Sequence, residues 1–296
     1  MAQSAMTSPP RFPAPGDGHL TWPMKSAYAR DGFLVLEDFV EAEACQRLMT
    51  RAQRMAAAAD LSGVATIFST TTVQHAADQY FINSGDKIRY FFEDGAFDAA
   101  GKLTRPQELA LNKIGHALHD LDPDFSTFSR DPRLGRLAGD LGLHEPLLLQ
   151  SMYIFKQPGI GGEVVCHTDS TYLYTEPMSC TGLWFALEDA TRENGCMWAL
   201  AGRHREALRS RFLRKPDGSL GYEVYDPKPL TADGAVPLEA RRGTLIVLHG
   251  QLPHLSGPNR SAKSRHAYTL HLIDGRCRYL PDNWLQRAAN MPLRGF

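Results

Sequence analysis

The sequence predicts a mainly β fold with added α-helices, and two observations carry that expectation. From Leu147 onward, short apolar runs of strand length alternate with turn signals such as Pro158-Gly159, Glu193-Asn194-Gly195 and Ser256-Gly257-Pro258-Asn259. Upstream of that point the apolar residues recur at helical spacing instead. A series of short, punctuated strands builds a sandwich or barrel rather than parallel strand–helix–strand units. The chain has 296 residues, 43% of them hydrophobic and 22% charged, which is an ordinary globular composition.

Residues 1–20 read as a flexible tail, because Pro9, Pro10, Pro13, Pro15, Gly16 and Gly18 dominate them. Residues 21–296 then read as one domain, with a helical part over 21–146 and a β core over 147–296. A helix is expected over Met24–Arg30, stopped at Asp31-Gly32, and followed by the apolar strand Phe33–Leu36. Val40–Asp60 reads as a helix with Cys45, Leu48, Met49 and Met55 on its apolar side. Residues 61–100 read as short strands and loops. A second helical zone is expected over Arg105–His119, on the spacing of Leu109, Leu111, Ile114 and Leu118, and a shorter one over Pro132–Leu141. The strands follow at Leu147–Gln157, Glu163–Tyr174, Thr181–Leu187, Gly195–Leu200, Thr244–His249 and Arg265–Ile273.

Charge and cysteine usage exclude several classes. Thirty-two basic residues face 33 acidic ones, a net charge of -1, so nothing favours nucleic acid or an acidic membrane as partner. No apolar run approaches the roughly 18 residues of a membrane span, and the N-terminal stretch has no signal-peptide character. Cys45, Cys166, Cys180, Cys196 and Cys277 are an odd set without C-x-x-C spacing. That fits a reducing, cytoplasmic setting rather than a disulfide framework.

The chemistry concentrates at His167-Thr168-Asp169. Alternate residues of a strand share one face with Cα atoms about 6–7 Å apart, so an imidazole and a carboxylate can converge on one metal ion. A third donor is required, and either His249 or His254 can supply it. Two histidines and a carboxylate are the facial triad of non-haem Fe(II) oxygenases, which leaves positions open for other ligands. Eleven residues after His254 stands Arg265, and a hairpin through Ser256–Asn259 would return its guanidinium to the pocket. A guanidinium there suits bidentate capture of a carboxylate.

These segments resemble the phytanoyl-CoA dioxygenase family of Fe(II)- and 2-oxoglutarate-dependent oxygenases. The resemblance rests on H-T-D at 167–169, H-G-Q-L-P-H-L-S-G-P-N at 249–259 and S-R-H-A-Y at 264–268. Further motifs are Y-A-R-D-G-F-L-V-L-E-D-F at 28–39, Q-S-M-Y-I-F-K-Q-P at 150–158 and E-D-A-T-R-E-N-G-C-M-W at 188–198. The resemblance implies a double-stranded β-helix, a jelly-roll and cupin-like core flanked by the N-terminal helices. It implies His167, Asp169 and His254 as iron ligands, with His249 left as a supporting or core residue. It implies Arg265 and Ser256 as contacts to 2-oxoglutarate, Met152 and Trp184 as walls of the co-substrate pocket, and Lys113 as a further anionic contact. Fe(II), 2-oxoglutarate and O₂ would then oxidise a small organic substrate, releasing succinate and CO₂. Iron halogenases of related build lack the carboxylate ligand, so Asp169 points to hydroxylation or another oxidation. A cupin-like sensor that binds metal without turnover, or a zinc hydrolase on the same scaffold, are the competing classes.

Weaker signals read more blandly. Gly159–Gly162 lacks the dinucleotide spacing and reads as a turn. His116 and His119, three apart, read as helix histidines. The basic run Arg203–Lys215 reads as a solvated helix face before it reads as a site for acyl-CoA phosphates. Cys166 should face away from the neighbouring histidine and act as a small hydrophobe.

Overall fold

The computed structural model describes residues 9–68 and 78–296. Its early strands are β1 (Arg11–Pro13), β2 (Phe33–Glu37), β3 (Ile88–Phe92), β4 (Leu111–His116) and β5 (Pro146–Ile154). There follow β6 (Val164–His167), β7 (Thr175–Glu176), β8 (Thr181–Ala186), β9 (Met197–Ala199), β10 (Ser210–Arg214) and β11 (Leu220–Val224). The last are β12 (Val236–Leu238), β13 (Leu245–His249), β14 (His254–Ser256), β15 (Ala267–Asp274) and β16 (Arg278–Tyr279). The result is mainly β with added helices, as expected.

A major sheet runs in the order β1-β2-β13-β8-β15-β5-β4-β3, and a minor sheet in the order β12-β9-β14-β6. Side chains of both meet in one apolar cluster, where Val35, Ala186, Ile246 and Ala267 pack with Met197, Ala199 and Leu238. On its other face the major sheet is covered by helices. These are α1 (Trp22–Asp31), α2 (Ala42–Ala58) and the helices Pro123–Ser129 and Pro132–Asp140. Gly32 ends α1 in the left-handed region at φ 81°, and its amide caps the carbonyl of Tyr28, so the chain turns at once into β2. Along α2, Cys45, Leu48, Met49, Ala52 and Ala56 recur at the period that lays one face on the sheet.

Four expectations are corrected here. Of the expected tail, residues 1–8 lie outside the described residues. Arg11–Pro13 is a strand, paired in parallel with Val35–Glu37, because proline at a sheet edge costs no ladder bond. The helix expected over Arg105–His119 is a single turn, Gln107–Ala110, followed by β4 between β3 and β5. Leu111 and Ile114 are fully buried, and a strand covered on both faces has no clean period to distinguish it from a helix. The basic run is a short turn, Arg203–Arg205, and then β10, which pairs with β11 through Phe212↔Tyr222. Arg265 and His254 are not joined by a hairpin: β14 lies in the minor sheet and β15 in the major one, and the two meet across the interior.

The C-terminal segment is tied back by charge. Asp120, with a side chain 1% exposed, accepts from Arg130 Nη2 at 2.6 Å, from Arg294 Nη2 at 2.8 Å and from Arg287. Burial alone would raise the Asp120 pKa, but His119 and the three guanidiniums hold it below the usual carboxylate range. Replacement by asparagine leaves three guanidiniums short of their acceptor. Asp120→Asn should therefore lower unfolding free energy by about 3–5 kcal/mol in urea titrations at pH 7. The wild-type contribution is full above the unfolded carboxylate value of about 4 and is lost as pH falls below it.

Candidate metal centre

The site lies where the minor sheet crosses the inner face of the major one. His254 and His167 are directly opposed partners of β14 and β6, so their rings meet at 4.3 Å between centroids. Each ring is fixed by the carbonyl two residues before it: His167 Nδ1 lies 2.9 Å from the Val165 carbonyl, and His254 Nδ1 lies 3.0 Å from the Leu252 carbonyl. Those bonds place the proton on Nδ1 and leave both Nε2 lone pairs facing inward. Burial pushes the His167 pKa down to about 4, with neighbouring His254 adding to the effect, so the imidazole is neutral and able to ligate.

The strand containing His167 ends there, and Asp169 opens a short helical turn, Asp169–Thr171. Thr168 stays extended at φ -119°, ψ 141°, so His167 and Asp169 still face the same side. Asp169 Oδ1 stands 3.8 Å from His167 Nε2 and 3.7 Å from His254 Nε2. The three ligand atoms all lie within 4.8 Å of one another, the one such group among the described residues. His271 Nε2 lies 3.4 Å from the other carboxylate oxygen. Burial would raise the Asp169 pKa, but His271 and then His254 hold it well below the usual range. Gly182, opposite His271 on β8, makes the space: a Cβ there would stand 2.9 Å from Asp169 Oδ2.

His249 ends β13 elsewhere, accepting from the Gln251 amide at 3.1 Å and lying 5.0 Å from the His204 ring. The structure therefore gathers His254, not His249. His116 and His119 are buried and engaged separately, with Ser84 and Ser151 hydroxyls at 2.8 Å each.

A cavity of about 220 Å³ opens from this centre, and all the remaining sequence candidates line it: Lys113, Met152, Trp184, Ser256 and Arg265. Arg265 is 2% exposed, its guanidinium carbon 5.3 Å from the centre of the Trp184 ring. Its Nε and Nη1 have no partner among the described residues. Burial pulls its pKa down to about 10, so it stays charged. A buried, charged and unpartnered guanidinium is costly unless an anion joins it. Lys113 Nζ rests 3.7 Å from Met152 Sδ and over the Phe68 ring, and burial pushes its pKa well down.

The donor set fits iron. Two neutral imidazoles and one carboxylate gather at one point, the set of non-haem Fe(II) sites.

The family model described as Phytanoyl-CoA dioxygenase (PhyH) matches residues 28–267. The chain belongs to this family. The Phytanoyl-CoA dioxygenase of Arabidopsis thaliana is 45% identical over 273 residues, covering 92% of this chain and 95% of the relative. The Phytanoyl-CoA dioxygenase domain-containing protein 1 of Bos taurus is 44% identical over 274 residues, covering 90% and 94%. Among solved structures, the epimerase SnoN in complex with Fe3+, alpha ketoglutarate and nogalamycin RO superposes with TM-score 0.62 at 15% identity, covering 93% and 92%. EctD from S. alaskensis with 2-oxoglutarate and 5-hydroxyectoine gives TM-score 0.59 at 19% identity, covering 91% and 88%. The chain shares the fold of these Fe/2-oxoglutarate proteins.

Several residues of the site escaped sequence reasoning. His271 was open to it, since it follows Arg265 by an even number of residues along a strand and so shares its face. Gly182 carries no such signal, because its role arises from an element far away in sequence.

The Gly182 contact is testable. Gly182→Ala should push the Asp169 carboxylate out of place and weaken Mn(II) binding by at least about tenfold, since supporting groups of a metal site are worth 10–100-fold. Metal titration followed by electron paramagnetic resonance reads it, and undiminished affinity would remove the steric argument.

Proposed function

We propose that this protein is an Fe(II)- and 2-oxoglutarate-dependent oxygenase, its two sheets forming a double-stranded β-helix. One observation carries the reading: His167, Asp169 and His254 converge within 4.8 Å in a cavity that also holds an unpartnered, buried Arg265. When bound, ferrous iron with 2-oxoglutarate and O₂ supplies the oxidation of a substrate C–H bond, with succinate and CO₂ released. The chain's own residues do the positioning. His167, Asp169 and His254 would hold the metal, and His271 keeps the Asp169 carboxylate turned toward it. Arg265 and Ser256 would take the distal carboxylate of 2-oxoglutarate, and Lys113 adds a further positive contact. Trp184 and Met152 wall this end of the cavity and keep water from the charged groups.

The substrate half of the cavity is apolar, lined by Phe81, Tyr172, Leu173, Phe212, Tyr222 and Trp284. Four arginines of 203–215 are engaged elsewhere. Arg203 and Arg209 pair with Glu206, Arg211 with Asp282, and Arg214 with the carbonyls of Trp284 and Ile82. A compact, largely uncharged organic molecule fits this lining.

Screening such compounds for stimulated 2-oxoglutarate decarboxylation tests the reading. His167→Ala and Asp169→Ala should each lower succinate formation by more than about a hundredfold, the scale of losing a metal-centred reaction. Arg265→Ala should raise the KM for 2-oxoglutarate about ten- to a hundredfold, the worth of a charge-assisted pair. Binding of 2-oxoglutarate without any succinate would favour a sensor, and activity independent of O₂ and 2-oxoglutarate a zinc hydrolase.

A further inference from the structure

Lys156 stands just past β5 and is 2% exposed, with a backbone φ of 44°, an uncommon conformation for a residue with a side chain. Four attachments meet on it. Its Nζ donates to Ser256 Oγ at 2.8 Å and to the Gly162 carbonyl at 2.6 Å. Its carbonyl accepts from Asn259 Nδ2 at 2.9 Å and from the Arg265 amide at 3.3 Å. The bare Gly195 makes room for the side chain, since a Cβ there would lie 2.6 Å from Lys156 Cε. One buried residue thus ties together the two groups assigned above to the distal carboxylate, although they sit on different sheets.

The chemistry of the Ser256 contact gives this residue more than a packing role. A hydroxyl has one proton to donate. When the ammonium of Lys156 donates to Ser256 Oγ, the serine proton is left free to point into the cavity. A neutral amine keeps two N–H donors but gains a lone pair, which can accept that proton and turn the donor away from an incoming anion. We propose that Lys156 is a positioning residue which, through Ser256, sets the hydrogen-bond polarity of the co-substrate pole and makes binding of a dicarboxylate there depend on its own protonation. The proposal rests on the 2-oxoglutarate reading above.

The surroundings place that protonation near neutral pH. Burial lowers the Lys156 pKa to about 7, with Arg265 adding to the effect, against the opposing pull of Glu93, Glu163 and Cys196. Ser256 and Gly162 contribute no charge. An arriving carboxylate favours the charged amine, so binding draws a proton onto Lys156 when the pH lies above that value, and affinity falls as pH rises through it.

The test is isothermal titration of 2-oxoglutarate into full-length protein loaded with Mn(II), free of O₂, in buffers of differing ionisation enthalpy at pH 8. The wild type should take up close to one proton per ligand, and Lys156→Met should take up none. Lys156→Met should also bind about ten- to a hundredfold more weakly, the worth of a hydrogen bond to a charged group. Coupling identifies the route: Lys156→Met combined with Ser256→Ala should be no weaker than the worse single variant, and additive losses would overturn action through Ser256. Wild-type binding without proton uptake overturns the proposal even if Lys156→Met fails to fold. Absence of any wild-type 2-oxoglutarate binding, with Mn(II) bound, overturns the oxygenase reading itself, a separate outcome.

Discussion

A carboxylate buried among imidazoles is the constraint to which the rest of the molecule answers. Asp169 is 7% exposed, and an ionised carboxylate in that position is costly unless positive or polar partners surround it. Imidazoles from three elements gather round it: His167 from the strand before it, His254 from the opposing strand of the minor sheet, and His271 from the major sheet. The two sheets therefore cannot separate or slip by one residue without dispersing that donor set. A slip of β14 against β6 would break the opposed His254↔His167 pair and turn His254 to the other face. Register, packing and metal-ligand geometry are here the same requirement.

The other pole of the cavity obeys a similar rule with the sign reversed. Arg265 is buried and charged with two donors unmatched, while Lys156 is buried and matched. Glu93, itself fully buried and with its pKa raised by burial, lies close enough to act on Lys113, Lys156 and Arg265. Its Oε2 is bound by Asn112 Nδ2 at 2.8 Å and the Gly162 amide at 3.1 Å. Glu93 thus stands among three basic side chains, and the buried Nε and Nη1 of Arg265 are left without a partner among the described residues. Those unmatched donors are what suit this pole to a carboxylate.

The sequence made the centre legible because its signals were local or nearly so. His167 and Asp169 are two apart on extended backbone, and Ser256 follows His254 by the same interval, so strand geometry alone put each pair on one side. What it left obscure were relations that only tertiary structure creates. The helix expected over Arg105–His119 failed because Leu111 and Ile114 belong to a strand buried on both faces, where helical and strand spacing coincide. Arg265 reached the pocket as expected, but across the gap between two sheets rather than around a hairpin. Arg211 and Arg214 looked like part of a solvated basic face because their partners, Asp282 and the carbonyls of Trp284 and Ile82, lie some seventy or more residues away.

That last pairing also bears on what the cavity can admit. Arg214, by holding the Trp284 and Ile82 carbonyls, fixes the segment whose Trp284 ring stacks on Phe81 at 4.6 Å between centroids. Tyr222 of β11 closes the other side through its hydroxyl, 3.0 Å from that of Tyr172. Cations that would otherwise greet an anionic substrate are thus spent on erecting aromatic walls. The same arginines cannot do both, because a guanidinium satisfied by backbone carbonyls and carboxylates has no donor geometry left for phosphate. The cavity thus joins a charged end at Arg265 to an aromatic wall that includes Phe81, Tyr172, Tyr222 and Trp284.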